Sequence, residues 1–128
     1  MPDNLLVCVG DGDSIGNVIE FHLLSGNLEE AKKFSSKVKS ALEDMAILAK
    51  SEIKASLVYA AGDDICFTVS SELEIRHILT SYCESFLKKT GRTMSFGVGK
   101  TSVEALISLR TAKVSGKGRV VLFGGSQH

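Results

Sequence analysis

Gly62-Asp63-Asp64 joins two β-rich runs, Ala55 to Ala60 and Ile65 to Val69. A connection this short leaves the two runs only one way to meet, as an antiparallel hairpin. The rest of the fold must be built around that hairpin, whose tip carries two adjacent carboxylates. Three further β-rich runs, Leu5 to Val9, Met94 to Val98 and Val120 to Phe123, are each separated from their neighbours by helical patterns. The clearest pattern spans Leu28 to Lys50, where Ala31, Phe34, Val38, Leu42, Met45 and Ala49 recur every three or four residues as one apolar face. A second, Glu72 to Lys89, carries Ile75, Ile78, Leu79, Tyr82 and Phe86, with Gly91 placed to end it. A third runs from Ser102 to Ser115 and stops at Gly116, and a shorter one from Ser14 to Leu24 breaks at Ser25-Gly26-Asn27. Asn27 with Glu30, Ser71 with Glu74 and Thr101 with Glu104 have the spacing of capping boxes at three helix starts. The order strand, helix, helix, strand, strand, helix, strand, helix, strand predicts an α+β, ferredoxin-like core. Its mixed five-stranded sheet is expected to carry the helices on one face.

The chain of 128 residues suits one domain, with residues 124–128 read as a loose tail. Fifteen basic and fifteen acidic residues cancel. This balance argues against duplex nucleic acid or an anionic membrane as the main partner, and an anionic ligand must then be held by a local cluster. No run approaches the roughly 18 apolar residues of a membrane span. The start Met1-Pro2-Asp3-Asn4 lacks the basic region of a signal peptide, so a cytoplasmic protein is expected. Cys8, Cys66 and Cys83 are odd in number, widely spaced and set among apolar neighbours, and they read as reduced core residues rather than a disulfide frame or zinc site.

Two acidic clusters fall at turn positions. One is Gly10-Asp11-Gly12-Asp13-Ser14-Ile15-Gly16 after the first strand; the other is Ala60-Ala61-Gly62-Asp63-Asp64 at the hairpin tip. With the first strand antiparallel to the hairpin in mid-sheet, the two clusters meet at one edge. Either cluster alone is also ordinary turn chemistry. The pair, each at the end of an apolar strand, points to a divalent cation, and oxygen-only ligands favour Mg²⁺ or Mn²⁺ over zinc. Gly12 and Gly16, before the first helix and in its first turn, would let a triphosphate approach the free amides, although glycine there also permits tight packing. Lys113 and Lys117, four residues apart, are read either as phosphate ligands or as a solvated basic helix end. Gly97-Val98-Gly99-Lys100-Thr101 resembles part of a P-loop, but Met94 stands where that motif needs glycine. The P-loop is rejected, and Lys100 is kept as a candidate phosphate contact. His22 and Asn17 are read as packed or solvated helix residues in preference to base contacts.

Asp11-Gly12-Asp13 with Gly16, and Tyr59-Ala60-Ala61-Gly62-Asp63-Asp64 in a hairpin, resemble the palm motifs of the polymerase subunit of type III CRISPR complexes. There the hairpin reads Tyr-Ala-Gly-Gly-Asp-Asp, so Ala61 departs from the pattern while both aspartates remain. The compact chain is more similar still to the stand-alone minimal CRISPR polymerases, relatives of the GGDEF diguanylate cyclases. Ala112-Lys113 followed by Gly118-Arg119 resembles the GGDEF ending. The resemblance implies transfer between two nucleoside triphosphates to give a cyclic dinucleotide or short cyclic oligonucleotide. It implies Asp11, Asp63 and Asp64 as catalytic residues, holding two Mg²⁺ or Mn²⁺ ions about 4 Å apart with help from the Gly12 carbonyl. Asp13, Ser14, Ile15, Gly16, Gly62, Lys100, Lys113 and Lys117 are the candidate nucleotide- and phosphate-binding residues. Ring closure implies a homodimer with facing sites, and the family implies a role in antiphage defence through a nucleotide-responsive effector. The guanine-reading polar residues of GGDEF domains have no counterparts at Ile19 and Leu28, reached by counting from Asp11, which leans the reading toward ATP. Two alternatives stand beside it, a purine-triphosphate hydrolase of the archaeal GTP cyclohydrolase type and a non-catalytic nucleotide-binding palm.

Overall fold

A computed structural model describes residues 4–71 and 73–124. The extreme N-terminus, Glu72 and residues 125–128, most of the expected tail, lie outside the described residues. The elements are β1 (Leu5–Gly12), α1 (Ile15–Leu24), α2 (Leu28–Ile53), β2 (Ser56–Ala61), β3 (Asp64–Ser70), α3 (Ile75–Thr90), β4 (Met94–Gly99), α4 (Ser102–Val114) and β5 (Val120–Leu122). The sheet order is β2-β3-β1-β4-β5. β1 lies in the middle, antiparallel to both β3 and β4, and only β4 and β5 run parallel. The hairpin turns through Gly62 and Asp63, with Gly62 at φ +62°, a region open to glycine at no steric cost.

The apolar stripes lie where their periodicity puts them. Phe34, Val38, Leu42, Met45 and Ala49 of α2 are buried with Leu79, Tyr82 and Phe86 of α3 against Cys8, Phe67, Met94, Phe96 and Val98 of the sheet. These strands of six to eight residues thus offer alternate side chains to one core. Asn27 and Thr101 accept from the amides of Glu30 and Glu104 at 3.2 and 3.1 Å, so two of the three caps form. The third does not: α3 starts at Ile75 with Glu74 itself at the cap position, and the Ser71 amide donates instead to the Asn4 carbonyl.

The helices do not share one face. α1, α2 and α3 cover the face of Phe67 and Phe96, whereas α4 crosses the other, where Ala105 and Leu109 meet Val7, Val9 and Cys66. Glycine explains the seating. A Cβ on Gly97 would lie 2.1 Å from the Leu109 amide nitrogen and 2.2 Å from the Ala105 carbonyl oxygen. The Gly-Val-Gly-Lys segment is therefore a groove for α4, not a phosphate loop. β1 also runs three residues beyond its apolar stretch, because Gly10 leaves room for the Phe96 ring, 2.5 Å from where a Cβ would stand. Cys8 and Cys66 are buried free thiols and Cys83 a half-buried one, with burial pushing the Cys8 and Cys83 thiols up to about 12. No helix among the described residues is long and apolar enough to cross a membrane.

Candidate active site

Strand register assembles the acidic cluster. Asp11 pairs across the sheet with Asp64 on one side and Ser95 on the other. Asp11 thus stands on the last turn of pleat in β1 rather than in a loop after it. Residues of equal parity share a face, so Asp11 and Asp64 project on the side of Val9, Cys66 and α4. Asp63 reaches the same point because it occupies the turn, and the Gly12 amide fixes that turn by donating to the Asp63 carbonyl at 2.9 Å. One carboxylate oxygen from each of Asp11, Asp63 and Asp64 lies within 4.8 Å of the others. Burial raises the pKa of Asp11, and the Asp63 and Asp64 charges add to this against the opposing pull of Lys113. Burial followed by the Asp63 charge raises Asp64 as well. Three half-buried carboxylates brought this close together are suited to a hard divalent cation, which would offset their mutual repulsion.

Asp13 is not part of this cluster, and the expectation that it contacts nucleotide is corrected. Its side chain is buried, and both oxygens are taken: Thr93 Oγ1 donates at 2.7 Å, Ser95 Oγ at 2.9 Å, the Gly118 amide at 2.9 Å and Lys113 Nζ at 2.7 Å. Burial alone would raise its pKa, but these donors outweigh it and hold the carboxyl below the usual range. Lys113, expected as a phosphate ligand, serves in this structure as a strut beside the cluster. Its ammonium also donates to the Asp11 and Gly12 carbonyls at 3.2 Å and pairs with Asp11 Oδ2 at 3.3 Å. The Gly12 carbonyl, expected as a metal ligand, accepts one such bond with one of its two lone pairs. Lys100 is misplaced altogether. Gly99 stands opposite Val7, four residues and about 13 Å along β1 from Asp11, so Lys100 lies at the far end of the sheet.

Ile15, Gly16 and Gly62 line the same pocket as Asp63, and Ser14 directly precedes Ile15. Ser14 caps α1 in a left-handed conformation at φ 60° with no side-chain cap bond, leaving the first-turn amides without that partner. A Cβ on Gly16 would meet nothing within 4 Å, so that side of the helix start is open. Lys117 lies beyond the end of α4, not on its face, yet reaches this edge, with Nζ donating to Ser14 Oγ at 2.9 Å.

Beside the hairpin tip opens a pocket of about 390 Å³ between α1, α2 and the turn, with Asp63 among its lining residues. Ile15, Ile19, Val38 and Leu42 form its apolar walls, and Ser35, Lys39 and Glu43 line it from α2. The last three escaped the sequence reading, because on the edge of an amphipathic helix a pocket-lining polar residue has the same period as a solvated one. Their spacing of four alongside Val38 and Leu42 was the available signal. Of the two positions counted from Asp11, Ile19 lies in the pocket wall, whereas Leu28 is exposed at the start of α2. His22 and Asn17 lie outside the pocket lining, His22 edge-on to Phe21.

The model of the minimal CRISPR polymerase domain matches residues 7–123. The chain belongs to that family. Among solved structures, this polymerase domain is similar to the GGDEF domain of DgcB from Caulobacter crescentus in complex with c-di-GMP. That match has a TM-score of 0.67 and 14% identity over 94% of this chain and 78% of the other. The active GGEEF domain of a diguanylate cyclase from Vibrio cholerae matches at 0.66 and 14% identity, over 96% of this chain and 85% of that one. The Csm1-Csm4 cassette in complex with cA4 matches at 0.66 and 21% identity, over 91% of this chain but only 20% of the other. At such identities the likeness shows the fold, a palm of the cyclase and CRISPR-polymerase type. No curated protein matches the sequence at a significant level.

Proposed function

We propose that this polymerase domain joins two nucleoside triphosphates, ATP by preference, into a cyclic dinucleotide or short cyclic oligonucleotide in a reaction dependent on Mg²⁺ or Mn²⁺. The observation that carries the reading is the convergence of Asp11, Asp63 and Asp64 at one edge of the sheet, with Asp63 also lining a pocket that reaches the open start of α1. In each transfer a ribose hydroxyl oxygen attacks the α-phosphorus of the other nucleotide, the bond to the β-phosphate breaks, and pyrophosphate leaves. Two bound cations, held by the three carboxylates, would supply acidification of the hydroxyl and charge neutralisation of the triphosphate. The chain itself positions the groups. Lys113 holds Asp11 and the β1 terminus in place, the amides at the start of α1 and the Lys117 ammonium face the phosphates, and the pocket receives the base. ATP is favoured by the apolar Ile19 in the pocket wall and by likeness of fold to a Csm1-Csm4 cassette solved with ATP and with cA3. One palm supplies one such site, so ring closure calls for a homodimer with facing sites. A role in antiphage defence, through an effector that responds to the product, belongs to the same proposal and rests on family membership.

The test is incubation with each triphosphate and Mg²⁺ or Mn²⁺, followed by mass spectrometry. A phosphodiester product with pyrophosphate release is expected, and specific activity should fall as the protein is diluted below its dimer dissociation constant. An opened purine ring would replace this reading with a hydrolase, and unchanged triphosphate with a non-catalytic palm.

A further inference from the structure

β2 does not alternate regularly. Leu57 stands opposite Phe67 and Tyr59 opposite Cys66, with a register shift between them that leaves Val58 as an extra, exposed residue. In a regular strand residues two apart share a face, so Tyr59 would follow Leu57 onto the helical side. The bulge turns it over instead, onto the face of Cys66, Asp64 and Asp11. Re-aiming one side chain is a common use of a bulge beside an active site. Tyr59 is there the diagonal neighbour of Asp64, a separation of about 7–8 Å that an aromatic side chain spans. Burial raises the pKa of its phenol, and the Asp64 and Asp11 charges add to this, so the group stays a hydrogen-bond donor. Tyr59 is 41% exposed, and among the described residues its hydroxyl has no partner.

The neighbouring positions offer no other free polar group. The row that holds Asp64 and Asp11 runs from Ala61 to Ser95, and the next holds Tyr59, Cys66 and Val9. Ser95 Oγ is engaged by Asp13 and the Gly118 amide, and the Cys66 thiol is buried. Beyond the carboxylates, Tyr59 therefore carries the one uncommitted side-chain oxygen in these rows. α4 packs over β1, β4 and β5 on this face, so a group that reaches the cluster across the sheet passes over the exposed Tyr59 and Ala61 of β2. In the facing-site arrangement that group is the sugar of the nucleotide held by the second copy. A ribose brings two adjacent hydroxyls. One attacks the α-phosphorus, and a phenol, which both donates and accepts, suits the other. We infer that the Tyr59 hydroxyl binds the non-attacking hydroxyl of the incoming ribose and so fixes which of the 2′ and 3′ oxygens forms each phosphodiester. The inference rests on the nucleotidyl-transfer reading and adds to it a residue that sets the linkage.

Two measurements test it. In the first, wild type and Tyr59→Phe are incubated with each nucleoside triphosphate and Mg²⁺ or Mn²⁺. Products are resolved by chromatography and mass spectrometry, and a nuclease specific for 3′–5′ bonds assigns the linkages. Wild type should give a single ring isomer. Tyr59→Phe keeps the ring of an exposed residue and should fold; it should give a mixture of isomers, with kcat/KM lowered about two- to tenfold, the effect of one neutral hydrogen bond. The second needs no turnover. The chain has two tyrosines, and Tyr82 is buried in the core, so NMR of ¹³C-labelled tyrosine rings reports Tyr59 separately. Its signal should move with the α,β-methylene analogue of the accepted triphosphate and Mg²⁺, and should move less with the 2′,3′-dideoxy form, which lacks both hydroxyls. Equal shifts with the two, a mixture of isomers from the wild type, or an unchanged isomer ratio in Tyr59→Phe overturns the ribose contact while the cyclase reading stands. Absence of any phosphodiester from the wild type overturns both.

Discussion

Replacing Lys113 by Met keeps the length of the side chain and removes its charge, which separates a strut from a phosphate ligand. In the folded chain the ammonium meets Asp13 Oδ1 at 2.7 Å and Asp11 Oδ2 at 3.3 Å, with two carbonyls at 3.2 Å. The Asp13 side chain is 2% exposed and that of Lys113 23%. Removing one member of a buried pair costs about 3–5 kcal/mol. Partial exposure of Lys113, and the bonds that Thr93, Ser95 and Gly118 still make to Asp13, bring the expectation down to about 2–3 kcal/mol. With a urea slope of about 1.5 kcal/mol per molar, the unfolding midpoint of the nucleotide-free protein should fall by about 1.3–2 M at pH 7. The sign of the pH dependence follows from Asp13. Its folded pKa is depressed, so the stability it contributes is present above the unfolded value near 3.9 and is lost as pH falls through the folded value. The gap between wild type and Lys113→Met should therefore be full at neutral pH and close below about pH 4. A loss under about 0.5 kcal/mol at pH 7 would refute the strut. If KM for the triphosphate rose at the same time, Lys113 would return to the phosphate site.

Asp64→Asn should abolish turnover yet leave the metal-free protein as stable as wild type or slightly more so, since it removes a carboxylate whose ionisation burial and Asp63 already oppose; thermal melting in a chelator checks this. For the same reason Asp11 and Asp64, with raised folded values, destabilise the metal-free fold at neutral pH. Part of the stability should be regained as pH is lowered through those values toward the unfolded value near 3.9, and Mg²⁺ should remove this gain; melts with and without the ion decide it. Gly97→Ala forces a Cβ into the α4 backbone and should cost about 3 kcal/mol or more in denaturant unfolding. Gly16→Ala enters open space in a helix and should gain about 0.5–1 kcal/mol while raising KM for the triphosphate; unchanged kinetics would remove the open helix start from the site.

Much of this architecture is written in local pattern. The hairpin follows from two short runs and a glycine, the α2 and α3 core faces from a period of three to four, and the meeting of Asp11 with Asp63 and Asp64 from placing β1 beside the hairpin. What the pattern hides is set by tertiary packing. Gly10 and Gly12 carry the signature of a turn, yet they stand in β1 because Phe96 and Ile15 occupy the space their side chains would take. The alternation of Phe96 and Val98 with Gly97 and Gly99 reports two covered faces of β4, but one reading of that period sees only the apolar half. Asp13 and Lys113 are 100 residues apart, and no spacing rule links a carboxylate in a glycine-rich loop to a lysine at a helix end. Lys100 fails for the opposite reason: its local motif is suggestive, and only strand register shows it at the wrong end of the sheet.

Hairpin tips are usually where a protein accepts extra residues most readily. Here the loop has only Gly62 and Asp63 between paired Ala61 and Asp64. On a strand, successive side chains point to opposite faces; these two aspartates share a target only because one leaves the strand at the turn. A single inserted residue would leave the β2-β3 pairing and the core below it able to form, while carrying Asp63 off the cluster and breaking its carbonyl away from the Gly12 amide. The tip is therefore a place where foldability and chemistry part company. Loop-length variants there offer stable, inactive proteins without changing a single carboxylate.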